Sequence, residues 1–152
     1  MIGVAVVLAS SSCLTPGDPQ SSPVGLVLVA GHAAAIVPPC QREAVVGMSV
    51  EIDPNAVGEH TSEQEALLWQ VADPRNADAH GPFVLGDVTP WSSVMKPLHG
   101  ALPNGFIVSV ETRHRLAQSF VTQARLEALR GDQVLIDGTV GSLADLEKKW
   151  EC

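Results

Sequence analysis

The chain contains no tyrosine, and only three Trp and three Phe in 152 residues. So few aromatics cannot supply both a core and an exposed stacking platform. That excludes the base-stacking surfaces of single-strand nucleic-acid binders and the aromatic floors of sugar-binding clefts. Basic residues are scarce as well, nine Lys and Arg against seventeen Asp and Glu, for a formal net charge of -8. A surface of that sign does not displace counterions from a phosphate backbone, so nucleic acid is not an expected partner. No G-x-x-x-x-G-K-S/T phosphate loop, G-x-S-x-G elbow, CxxC or HxxxH occurs. P-loop nucleotide chemistry, α/β-hydrolase catalysis and zinc ligation at those spacings therefore lose their usual signals, and no cofactor is called for. What is present is apolar: 45% hydrophobic against 17% charged residues, the opposite of a disordered composition. The length suits one domain, able to bury roughly two thirds of its unfolded surface.

Charge is also missing from one end. Between Met1 and Cys40 the single charged side chain is Asp18. Ile2 to Ala9 is a nearly continuous apolar run, followed by Ser10, Ser11, Ser12 and Cys13. That order matches a secretory h-region and its small-residue cleavage site. The run is too short to span a bilayer, which takes about 20 residues. A Cys directly after small residues resembles the lipobox of bacterial lipoproteins, which implies acylation of Cys13 and attachment to a membrane through it. Ser10 stands where the lipobox has an apolar residue, and the basic n-region is absent. Leu14 to Pro23 holds three prolines, a glycine and small polar residues, the composition of a flexible linker. The expected layout is a leader at Met1–Cys13, a linker at Leu14–Pro23 and one domain at Val24–Cys152. The competing reading of Ile2 to Leu8 is an ordinary N-terminal strand.

Cys40 and Cys152 remain once Cys13 is set aside, and an even remainder in an exported chain suggests a disulfide. Such a bridge would close a loop of about 113 residues, a constraint of roughly 4–5 kcal/mol in the chain-entropy treatment. The competing reading is a cytosolic protein with three free thiols.

Within the domain the apolar runs are short and punctuated by Gly, Pro and Asp. Val24–Val29, Ala33–Val37, Glu43–Ile52, the stretch around Leu67, Trp69 and Val71, Phe83–Leu85, the face of Phe106, Val108 and Val110, and Val134–Ile136 all read as strands. This predicts an all-β, immunoglobulin-like β-sandwich of six or seven strands. The strand through Trp69 is expected to stop at Asp73-Pro74, and Asp137-Gly138 to form a turn. Asp53–Glu65, Asp73–His80 and Asp87–Asn104 read as loop or irregular chain. His114–Leu129 fits a hairpin return followed by a helical turn near Ala124–Leu129, although Leu116, Phe120, Ala124 and Ala128 also keep helical spacing. A short C-terminal helix is expected after Ser142 as N-cap with Asp145 at the third position. Leu143, Leu146 and Trp150 would be its buried stripe.

Three segments, Val37-Pro38-Pro39-Cys40, Leu68-Trp69-Gln70-Val71 and Val134-Leu135-Ile136-Asp137-Gly138, together resemble those of small exported proteins and lipoproteins of actinomycetes. The resemblance covers about two thirds of the chain and rests on core and turn residues. It implies a cell-envelope location and a compact β-rich domain, and it implies no activity.

Candidate chemistry is thin. His32, His60, His80, His99 and His114 are scattered; His60 and His80 lie in expected loops near Glu59, Glu63 and Asp78. Met95 and His99, four apart, are a soft pair of the kind that copper handling uses. Trp91, between Thr89-Pro90 and Ser92-Ser93, is expected to fold back over the sandwich edge, with an exposed binding anchor as the other reading. Trp91, Met95 and His99 are thus the candidate binding residues. Arg130-Gly131-Asp132 reads as a turn leading into a strand. Two functions follow: an exported, non-catalytic envelope protein binding a protein or small ligand, or an exported copper- or zinc-handling protein.

Overall fold

A computed structural model describes residues 22–39, 44–55 and 66–152. Cys13, Cys40, His60, the leader and most of the linker lie outside the described residues. The chain forms an antiparallel β-sandwich. Sheet A contains β1 (Gly25–Val29), β2 (His32–Ile36), β5 (Phe83–Val84), β9 (Val134–Ile136) and β10 (Thr139–Gly141), in the order β10-β9-β1-β2-β5. Sheet B contains β3 (Val45–Ile52), β4 (Leu67–Pro74), β6 (Trp91–Lys96), β7 (Gly105–Thr112) and β8 (Leu116–Thr122), in the order β6-β4-β3-β7-β8. Two short helices, α1 (Gln123–Glu127) and α2 (Leu143–Lys149), follow β8 and β10.

Strand alternation builds the core. On β7 the side chains of Phe106, Val108 and Val110 are at most 1% exposed, and β7 is paired along its length with β3 on one side and β8 on the other. Trp69 and Val71 of β4 join Met48 and Val50 of β3 in the same apolar cluster as Leu26, Phe83 and Leu135 of sheet A. That shared cluster is the inter-sheet packing of a sandwich.

Two hairpins in sheet A close through two-residue turns. Val29 pairs with His32 and Ile136 with Thr139. The intervening Ala30-Gly31 and Asp137-Gly138 all have positive φ, between 48° and 79°. Two positive φ values in succession match the strand twist at a tight hairpin, and glycine adopts them without steric cost.

The sandwich class and the C-terminal helix agree with the sequence reading; several details differ. Ten strands are present among the described residues rather than six or seven. β6 lies inside the stretch read as irregular, and β10 follows the Asp137-Gly138 turn. β4 continues through Asp73 to Pro74, which pairs with Trp91. His114–Leu129 resolves as the β7–β8 hairpin return plus the single-turn α1. At α2 the N-cap is as expected: Ser142 and Asp145 form a reciprocal capping box. Leu146 and Trp150 are buried, but Leu143 is 44% exposed. Sitting at the first position of a seven-residue helix, Leu143 precedes the turn that docks on the sheet. Ser22 and Pro23, assigned by composition to the linker, are buried parts of the fold.

Candidate functional site

Trp91 opens β6 and is 1% exposed. Its ring lies 5.1 Å from Phe83, tilted by 39°, and 6.4 Å from Trp69 in an edge-to-face arrangement at 83°. Pairing with Pro74 turns the side chain inward, so Trp91 is a core residue and has no surface with which to anchor a ligand. The indole N–H groups of both Trp69 and Trp91 are buried without a hydrogen-bond acceptor. Their edge-to-face contact sets a polarised ring edge against a π face, a favourable quadrupole alignment.

Met95 is 53% exposed on β6, and His99 is exposed in the segment that follows. Among the described residues His99 belongs to no group of three or more His, Cys, Asp or Glu side chains that could hold a metal ion. His80 is half-buried; its carbonyl accepts from the Val37 amide at 3.1 Å, and its Nδ1 is buried without a partner. Nearby, the Asp78 amide donates to Asn76 Oδ1 at 3.2 Å, a local turn rather than a ligand shell. His32 and His114 are exposed on β2 and on the β7–β8 turn. Ser93 donates to Asp73 Oδ2 at 3.2 Å across β6 and β4. Arg130 folds back, its Nη1 donating to the carbonyls of Glu127 and Leu129 at 2.8 Å, so its guanidinium serves to cap the end of α1.

The capping box also sets the electrostatics of α2. The Ser142 hydroxyl and then the Ser142 amide donate to the Asp145 carboxylate at 2.8 and 2.9 Å, holding its pKa below the ordinary 3.8, with Lys148 adding to the effect. The Lys148–Asp145 pair itself is 3.9 Å apart and exposed, which makes it a minor contributor.

The densest long-range polar constellation was invisible in the sequence. It sits where the chain joins the fold. Ser22 Oγ accepts from Arg115 Nη1 at 2.8 Å, and the Ser22 carbonyl accepts from the Gln118 amide at 3.3 Å. The Pro23 carbonyl accepts from Trp150 Nε1 at 2.7 Å. The Val24 amide donates to Ser119 Oγ, whose proton points to the Val24 carbonyl, both at 3.0 Å. Arg115 is also stacked over Trp150, its Cζ 5.1 Å from the ring centroid, a cation–π contact. Partners up to 127 residues apart leave no periodicity or spacing to read.

Cys152 is exposed and has a partner in the fold. The other two cysteines lie outside the described residues. Among the described residues no helix is long and apolar enough to cross a membrane.

What the fold defines is an antiparallel β-sandwich in which Ser22–Val24 meet the end of the C-terminal helix on one rim. Compared with family models, with curated proteins and with solved structures, the chain has no match.

Proposed function

We propose that this is an exported cell-envelope protein, anchored to the membrane through an acylated Cys13, whose sandwich binds a protein or small ligand without catalysis. What supports the reading is Cys152, which has a partner in the fold and which we read as disulfide-bonded. Disulfides persist in oxidising compartments and are rare in the cytosol. Cys40 is the proposed partner. Trp150 is tied to Pro23, and Gly25 pairs with Ile36, so the C-terminal residues lie at the end of sheet A from which the chain continues through Val37 toward Cys40. The uncharged leader ending at Ser10-Ser11-Ser12-Cys13 supplies the export signal, and the non-catalytic part rests on the sequence, which carries no nucleophile–base pairing.

Intact mass of the protein from membrane and culture fractions, alkylated with and without reductant, tests the reading. The expected species begins at Cys13, carries added acyl mass, partitions with membranes and gains two alkyl groups only after reduction. An unprocessed soluble species with three freely alkylated thiols would overturn it.

A further inference from the structure

We propose that Ser22–Val24 is a clamp that stops a pull on the preceding chain from reaching β1. Its purpose rests on the tethered reading above; its geometry does not. The three residues are held by groups from two other parts of the molecule, β8 and the end of α2. From β8 come Arg115 at the turn, Gln118 and Ser119; from the C-terminal end comes Trp150. None of these bonds belongs to the ladders that pair β1 with β2 and β9. The clamp therefore adds to the sheet rather than duplicating it, and a load arriving from the N-terminal side meets it first.

Its parts also brace one another. Trp150 is 2% exposed, donates its indole N–H to Pro23 and offers its ring face to Arg115, which in turn donates to Ser22. Ser22 itself is 7% exposed despite lying in a stretch of linker composition. A hydroxyl and three carbonyls on three consecutive residues thus each have a donor from β8 or its turn or from Trp150, and proline in the middle fixes the φ that presents them. A surface-tethered domain feels force through this one point.

The test is single-molecule pulling of the full, unreduced chain between its N- and C-termini. If Cys40 and Cys152 are joined, force runs from the N-terminus to Cys40 and across the bridge, so rupture releases only about 60 Å of chain; without the bridge, unfolding releases more than about 400 Å. The extension therefore reports on the disulfide, and the rupture rate reports on the clamp. Trp150→Phe keeps the ring over Arg115 and removes the bond to Pro23, and Ser22→Ala removes only a hydroxyl. At equal force each variant should rupture roughly five- to tenfold faster, the equivalent of about one hydrogen bond, while Leu143→Ala on the exposed side of α2 ruptures at the wild-type rate. Wild-type rupture rates for Ser22→Ala, and for Trp150→Phe in chains that show the wild-type extension, would overturn the clamp, whatever the extension says about the bridge.

Discussion

The three central strands of sheet B run eight residues each, whereas no strand of sheet A exceeds five. Sheet B is held by its own ladders: β3 is paired on both sides, and β7 and β8 match residue for residue from Gly105–Thr122 to Glu111–Leu116. Sheet A has pairings of only two or three residues between β1 and β9, β9 and β10, and β2 and β5. It is completed from its rim. Helix α2 lies so close to β1 that a Cβ at Gly25 would come within 2.7 Å of Leu146 Cδ2 and 2.9 Å of Val134 Cγ1. Arg125 donates to the Gly138 carbonyl in the β9–β10 turn, the Leu85 amide to Ala33, and the Val37 amide to His80. A long ladder is stable through local repetition, while a short one depends on side chains and distant segments placed by the rest of the fold.

The largest expected effect tests whether the two sheets are separable at all. Trp69 is fully buried in the inter-sheet cluster, so Trp69→Ala should cost about 3–5 kcal/mol. Denaturant melts followed by hydrogen exchange should show both sheets losing protection together; sheet A keeping its protection would mean two independent units. Next comes Leu146→Ala, which removes the fully buried anchor of α2 over β1. A loss of about 3 kcal/mol is expected, with amides of β1 and β9 exchanging faster than those of β3 and β7. Equal acceleration in both sheets would contradict the rim-supported picture of sheet A.

A smaller effect sharpens the same point through pH. Ser142→Ala should lower stability by about 1 kcal/mol through loss of the N-cap. The Asp145 carboxyl has a lowered pKa in the fold because Ser142 donates to it twice. Its contribution is therefore fully present above the ordinary Asp value and is lost as pH falls through the lowered one. Acid titration of wild type should loosen α2 in that window, and Asp145→Asn should remove this part of the pH dependence. The smallest effect is expected at Met95, exposed on the edge strand β6: Met95→Thr should shift stability by less than about 0.5 kcal/mol. A larger loss, measured by the same melts, would mean that the outer face of sheet B is covered.

How much of this was legible depends on the range of the interaction. β7 shows in the sequence because Phe106, Val108 and Val110 alternate against a polar face, and the β9–β10 turn because Asp137-Gly138 suits positive φ. The capping box at Ser142 and Asp145 spans three residues. β6 was not legible: as an edge strand with a register shift opposite Gln70 and Val71, it places Val94 and Met95 both toward solvent and shows no alternation. Trp91 could be assigned a side only once Pro74 was known to lie beside it. Of the candidate binding residues, Trp91 went into the core, and Met95 and His99 stayed on the surface.

The sequence by itself determined the all-β class, the tight turns and the capped C-terminal helix, because each is written in residues within a few positions of one another. Tertiary structure alone decided which strands share a sheet, that Trp91 is core, that Ser22 and Pro23 belong to the fold, and that Arg115, Ser119 and Trp150 converge on them. The rim contacts join residues 93 to 127 positions apart, and the pairing that settles Trp91 reaches across from β4. Such contacts exist only once both sheets have set the distances, so no local pattern in the chain encodes them.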